Sequence, residues 1–386
     1  MVKEKIIYLH PAIRTYRVGI FEMLSEKLNI FFFWTGISKP HTHSNEEINR
    51  ILKKTNIDYM QARELHSLPM NGFSFDLLKI PFLGCKLFIF SSIISVPYLL
   101  LAPILKLMGK KIIVFDELWR YPKEVVKYRI IFPYVKFLSK HCLHGVVAAG
   151  SKSKQFYLEE LDFDKNKIQI AFNTTIDTKE YTKNKNIDKI IKTKIKKITD
   201  KKIILYLGRI VKYKGLDLLI KAMLNISKEY ALIVLGDGEF KSECQILVNE
   251  LNLNERVHFL GSCLSYEAPY YMKNSDIFVL PSRFRLDSNV QMESWGFTVN
   301  EAMALEIPVV TTTAVGSAYD LIIDGITGGL AIAGEQNSLN EKINFIIENR
   351  YVKNIGKNSR KHLLKTCNYK RNFESYEVLV RKVLLK

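Results

Sequence analysis

Glu293-Ser294-Trp295-Gly296-Phe297-Thr298-Val299-Asn300-Glu301-Ala302-Met303-Ala304 follows a short apolar run, Ile277-Phe278-Val279-Leu280, that Pro281-Ser282 terminates. Such a run, closed by Pro and Ser, reads as a buried strand ending in a loop. From Phe297 on, helix formers take over, with apolar residues at Val299, Ala302 and Met303. Gly296 therefore stands where a loop turns into a helix, with Glu293 before it and Glu301 after it. A helix start offers unpaired N–H groups and a positive dipole end, which favour an anion such as phosphate. Carboxylates held beside it accept hydrogen bonds from sugar hydroxyls. The pattern suits a ligand that is anionic in one part and polyhydroxylated in another, as a nucleotide sugar is. Two glutamates near a helix start are also common without function, so the stretch is weighed with its surroundings.

Working outward, strands and helices alternate through most of the chain. In the first half, strands are expected at 5–9, 29–34, 87–90, 111–115, 143–149 and 168–171. Helices are expected at 17–28, about 97–108, 122–140 and 151–160, with Pro133 able to kink or split the third. Residues 35–82 are polar and irregular. The second half repeats the rhythm with strands at 203–207, 231–235, 257–260, 277–280 and 308–312. Turn-rich residues 324–329 follow, then helices near 335–349, 354–366 and 371–385. This alternation predicts an α/β protein of two parallel, doubly wound, Rossmann-like domains. Between them, 179–202 is lysine-rich and reads as a basic, partly helical interdomain linker with a solvated face.

At 386 residues the chain exceeds what one core covers, and 47% hydrophobic with 25% charged residues is a globular composition. The net charge of +18 points to an anionic partner: nucleic acid, an anionic membrane surface or a phosphorylated substrate. No interleaved basic-aromatic motif supports nucleic acid. Cys85, Cys142, Cys244, Cys263 and Cys367 lack metal-ligand spacing and read as reduced thiols of a cytoplasmic protein. The N-terminus runs into Ile6-Ile7-Tyr8-Leu9, too short a run for a signal-peptide core. Leu87–Leu107 is nearly uncharged and long enough for a membrane span, yet Pro97, Pro103 and clustered serines favour a strand followed by a buried helix.

Arg209 follows a strand directly and Lys214 precedes a helix, at the strand ends where open α/β sheets bind ligands. Arg can grip two phosphate oxygens and Lys acts as a point charge. Gly236-Asp237-Gly238-Glu239 lies at the same edge and reads equally as a ligand-approaching turn or a plain one. Asp162 and Asp164 read as a solvated turn, and His141 with His144 lack a third metal ligand.

Gly208-Arg209, Lys214-Gly215-Leu216, Gly236-Asp237-Gly238, Val257-His258-Phe259-Leu260-Gly261 and the Glu293-x7-Glu301 block occur here in one order. Together they resemble retaining glycosyltransferases of family 4, with the GT-B fold, across about 203–330. The resemblance implies two Rossmann-like domains facing a cleft: residues 1–178 for the acceptor and 203–355 for the nucleotide sugar. Helices in 356–386 are expected to cross back to the first domain. By the same resemblance Arg209 and Lys214 hold the donor diphosphate without a metal, and no cofactor is needed. Glu293 meets the sugar hydroxyls, Gly296, Phe297 and Thr298 meet phosphate and sugar, and Glu301 meets the ribose. Gly208, Gly236, Asp237, Gly238 and Phe259 complete the donor site. Two departures stand in the first domain. Pro11–Arg17 replaces a glycine-rich loop, leaving Arg14 and Arg17 as acceptor candidates. No histidine follows the strand at 111–115, where Asp116-Glu117-Leu118-Trp119 stands and Glu117 is the candidate catalytic residue.

The implied reaction moves a sugar from a UDP or GDP donor to a glycan, favouring lipid-linked or surface polysaccharide acceptors. The basic helix 122–140 suits docking on an anionic membrane surface, as it suits a solvated helix packed on the sheet. The rivals are a nucleotide-sugar epimerase of similar build and a basic nucleic-acid-binding protein.

Overall fold

The computed structural model describes residues 4–11, 13, 15–35, 53, 55–61, 74–175, 179, 182–284, 293–348 and 352–385. It divides into two compact units, 1–174 with 367–386, and 175–366.

Among the described residues the first unit is built on seven parallel strands in the order β3-β2-β1-β4-β5-β6-β7. They are β1 (Ile6–His10), β2 (Ile30–Trp34), β3 (Tyr59–Gln61), β4 (Leu87–Phe90), β5 (Lys111–Asp116), β6 (Gly145–Ala148) and β7 (Ile168–Ile170). Successive strand residues face opposite sides. Ile112 and Val114 of β5 thus join a core with Tyr98, Leu101, Leu105, Val135 and Leu138 on one face. Ile113 and Phe115 join Phe21, Leu24 and Tyr376 on the other. Burial on both faces is why these strands read as unbroken apolar runs.

Helices α1 (Val18–Leu28), α2 (Val96–Leu107), α3 (Val126–His141) and α4 (Ser151–Glu159) belong to this unit. Residues 87–107 are β4 and the twelve-residue α2. No helix among the described residues is long and apolar enough to cross a membrane. Helix α3 starts four residues later than 122 and runs through Pro133. Packing of Val135 and Leu138 beyond the proline offsets the lost hydrogen bond.

Among the described residues the second unit has six parallel strands in the order β10-β9-β8-β11-β12-β13. They are β8 (Lys202–Leu207), β9 (Tyr230–Leu235), β10 (Val257–Gly261), β11 (Ile277–Leu280), β12 (Val309–Thr312) and β13 (Gly329–Ala331). Its helices are α5 (Lys185–Ile198), α6 (Leu216–Ala222), α7 (Lys241–Glu250), α8 (Ala268–Lys273), α9 (Phe297–Ala304), α10 (Ala318–Leu321), α11 (Gln336–Glu348) and α12 (Val352–Thr366). The sequence reading has no β13, because Gly325, Gly328 and Gly329 crowd its start.

The lysine-rich 179–202 differs from a free linker. Asn184 caps α5 by accepting from the Asn186 and Ile187 N–H groups, and Ile191 and Ile195 are buried. The stretch belongs to the second unit, where α5 packs on α8. Helix α12 also lies there, so only 367–386 returns to the first unit. That return is α13 (Tyr369–Leu384), which buries Phe373, Tyr376, Leu379, Val380 and Val383 against α1 and β5–β7. Each such side chain stabilises the fold by roughly 1.5–3 kcal/mol, which explains why a terminal helix of mean polar composition stays docked.

Candidate active site

In the second unit the loops after β8, β9, β10 and β11 emerge side by side, because these parallel strands are neighbours in the sheet. The loop after β8 is laced to its neighbours by backbone hydrogen bonds. Gly208 N donates to Leu235 O at 3.0 Å, Ile210 N to Asp237 O at 2.8 Å and Phe240 N to Ile210 O at 3.1 Å. Gly236 permits this approach: its φ is +142°, and a Cβ there would lie 1.9 Å from the Gly208 carbonyl oxygen. Asp237 accepts from Gly238 N at 2.8 Å and from the Lys241 ammonium at 3.0 Å. Those contacts hold its carboxyl below the usual range, Lys241 contributing most.

Lys212–Lys214 forms a short 3-10 turn that Gly215 ends at φ +70°. A Cβ on Gly215 would meet the Pro281 carbonyl oxygen at 2.0 Å. The exit of β11 fastens to this turn through Arg283, whose N donates to Tyr213 O at 2.8 Å and whose Nε donates to Lys212 O at 3.0 Å. Arg283 also pairs with Asp217 at 3.0 Å. Lys214 is thereby aimed at Glu293, with which it forms an ion pair. Exposed Arg209 donates to the Tyr213 hydroxyl at 2.8 Å, while its own carbonyl accepts from Tyr206 at 2.7 Å. Arg209, Tyr213, Lys214 and Glu293 make one connected cluster.

Glu293 is fixed by its backbone. Gly316 N donates to Glu293 O and Ser317 N to Trp295 O, both at 2.9 Å. The buried Trp295 indole donates to the buried Asn300 side chain at 2.9 Å, bracing the start of α9. Gly296 is the N-cap of that helix, with Phe297 and Thr298 in its first turn. One turn on, burial pushes the Glu301 carboxyl up to about 7. Phe259 lies partly buried on β10. A strip of cations, a helix start and two carboxylates at one sheet edge can hold a phosphorylated, hydroxyl-bearing ligand.

In the first unit, Glu117 directly follows β5. Arg17 donates to its Oε1, which also accepts from Asn173 Nδ2 at 2.6 Å. Arg17 is only 7% exposed and stacks 4.7 Å over Phe115. It is thus engaged with Glu117 rather than open to solvent, unlike the acceptor-facing residue expected from the sequence. Arg14 lies outside the described residues. Asp116 is buried and accepts from Tyr157 at 2.8 Å, Leu118 N at 3.0 Å and Ile93 N at 3.2 Å. Burial outweighs those bonds and lifts it to about 6. Asp162 pairs with Lys136 at 3.0 Å, and Asp164 accepts from Asn166 N at 2.9 Å. His144 Nδ1 accepts from Ile112 N at 3.1 Å.

Tyr213, the Asn173–Glu117 contact and the Trp295–Asn300 brace were absent from the sequence reading, which noted Asn173-Thr174 only as standing where the resembling family has Asn-Gly. Tyr213 had a signal, lying between Lys212 and Lys214. The other two meet their partners only through folding.

Residues 182–362 match the family described as glycosyl transferases group 1. The second unit is a glycosyl transferases group 1 domain. An uncharacterised glycosyltransferase of Methanocaldococcus jannaschii is 33% identical over 157 residues, 40% of this chain and 41% of that protein. The N-acetylgalactosamine-N,N'-diacetylbacillosaminyl-diphospho-undecaprenol 4-alpha-N-acetylgalactosaminyltransferase of Campylobacter jejuni is 33% identical over 161 residues, 42% of this chain and 41% of that protein. The chain thus spans about two-fifths of the length of these relatives. HepE of Anabaena, solved in complex with UDP, superposes with a TM-score of 0.77 over 98% of this chain and 100% of HepE, at 17% identity. That likeness is one of fold, and the fold is GT-B.

Proposed function

We propose that the chain is a glycosyltransferase that moves a sugar from a nucleotide-sugar donor to a glycan acceptor, with retention and without a metal, as family 4 enzymes do. The observation that carries this reading is Lys214 held against Glu293 beside Arg209 and the start of α9, within the group 1 domain. Breaking the sugar–phosphate bond builds negative charge on the departing diphosphate. Preorganised donors aimed at that charge contribute about 2.7–4 kcal/mol each. Arg209 and Lys214 supply two, and the α9 start supplies backbone dipole. Glu293 orients sugar hydroxyls, and Glu301 the ribose. The donor edge formed by Gly208, Gly236, Asp237, Gly238 and Phe259 borders the nucleotide.

Glu117 is the candidate catalytic residue of the first domain in this reading, and Arg17 and Asn173 orient it. The Campylobacter relative acts on an undecaprenol-linked acceptor, which supports a lipid-linked acceptor here. Exposed Val126, Ile130 and Phe137 lie on α3 among Lys127, Arg129 and Lys136. That mixture suits a cytoplasmic enzyme docked on an anionic membrane surface. The test is incubation with UDP- and GDP-sugars, UDP-glucose first, with and without polyprenyl-diphosphate glycans. Free nucleotide released only with acceptor supports transfer. An epimerised sugar formed without acceptor overturns it.

A further inference from the structure

A cavity of about 260 Å³ lies in the first unit at the amino edge of its sheet, the edge opposite Glu117. Lys111 starts β5, His144 precedes β6 and Lys167 precedes β7. Lys106, Lys140 and Lys382 reach it from the last turns of α2, α3 and α13. Among the described residues no acidic side chain lines it.

Lysines in a last helical turn have a structural explanation, because they complement the dipole. That explanation covers Lys106, Lys140 and Lys382 but not Lys111 or Lys167, which sit at strand starts. Magnitudes also argue against mere compensation. Three helix ends bring about half a negative charge each, against five ammonium groups around one cavity. Lys382 donates to Asn166 O at 2.6 Å. Lys106, Lys111, Lys140 and Lys167 have no carboxylate partner among the described residues. Burial and the lysines at 106, 111 and 167 hold His144 down at about 4, so its ring stays neutral and the positive charge is the lysines' own.

We propose that this cavity binds a phosphate group, as a second anion site separate from the donor edge of the group 1 domain. Convergent ammonium groups with no counter-charge are the chemistry that takes a phosphoryl oxygen cluster. A free phosphate and a phospholipid headgroup present the same group, and the experiment separates them. The inference does not rest on the proposed transfer reaction.

The probes are inorganic phosphate and pyrophosphate by calorimetry, and vesicles of phosphatidylcholine with or without phosphatidic acid by flotation. The full chain carries Lys214→Ala throughout, which removes the expected phosphate contact of the other site. Lys111→Gln with Lys167→Gln is compared with Lys196→Gln with Lys197→Gln, a charge-matched change on α5. Saturable phosphate binding that weakens at least about tenfold in the cavity pair alone supports a free-phosphate site. Flotation on phosphatidic acid lost in the cavity pair alone, without phosphate binding, supports a headgroup site. Absence of both, or equal loss in both pairs, overturns the proposal. A thermal melt of the cavity pair close to that of the parent excludes unfolding as the cause.

Discussion

Lys214 donates to Oε2 of Glu293, a residue 79 positions further along the chain, and the two side chains are only 12% and 17% exposed. A pair so withdrawn from water is costly to split, because each partner leaves an uncompensated charge. In the proposed reaction an incoming diphosphate shares Lys214 and leaves Glu293 to the sugar hydroxyls. Lys214→Ala is therefore expected to slow turnover by about 10²-fold or more. Adding Glu293→Gln to that variant should recover thermal stability without restoring turnover. Recovery of both would assign the pair a structural role alone.

The aim of Lys214 depends on Gly215. At φ +70° and with the Pro281 carbonyl 2.0 Å from a would-be Cβ, Gly215→Ala is both strained and blocked. The variant is expected to lose about 2–3 kcal/mol, which for a unit of this size lowers the melting temperature by roughly 5–10 °C. At a temperature where it is still folded, nucleotide affinity should fall as well. An unchanged melt would mean that the turn moves without cost.

Much of this arrangement was legible beforehand. Val279, Val310 and their neighbours form short apolar runs closed by turn residues, and that pattern alone yields a parallel sheet. Placing Arg209, Lys214 and Glu293 at one edge needed only the rule that open sheets bind ligands at their carboxyl ends. The misses have physical causes. Charge along 179–202 hid Ile191 and Ile195, two residues on one face of α5, because ten surrounding lysines dominate the composition. Arg17 ends the stretch that replaces the glycine-rich loop of the resembling family, yet its partner Glu117 is 100 residues away and no local pattern announces the pair. Likewise β13 is a three-residue strand whose glycines read as a turn.

The Arg17–Glu117 pair is unequal. Arg17 is nearly enclosed, at 8% side-chain exposure, whereas Glu117 keeps 32%. Glu117→Ala strands a buried guanidinium beside Asn173 at 3.4 Å and the Phe115 and Tyr16 rings, none of which carries a counter-charge, so a loss of about 3 kcal/mol is expected. Arg17→Met leaves a carboxylate that water and Asn173 can still solvate, and the loss should be smaller. Urea unfolding of the two variants checks the order. The reverse order would show that Glu117 is the more enclosed partner in solution.

Glu301 gives the chain a pH signature. Burial raises its carboxyl from the ordinary 4.5 to about 7. Between those values the folded protein holds a proton that the unfolded chain has released. Its contribution to stability is therefore complete below about 4.5, is lost as the pH rises to 7, and is flat above. Asp116, lifted to about 6, acts in the same sense, so the Glu301 share is read as the difference from Glu301→Gln. That variant should show a shallower fall in melting temperature from pH 5 to 7. Ribose hydroxyls donate best to the ionised carboxylate, so nucleotide binding should expel the proton. Calorimetry of UDP-glucose, whose diphosphate carries no group titrating near pH 6, at pH 6 in two buffers of different ionisation enthalpy should then register proton release, which vanishes at pH 8 and in Glu301→Gln. Equal heats in both buffers at pH 6 would place Glu301 away from the ribose.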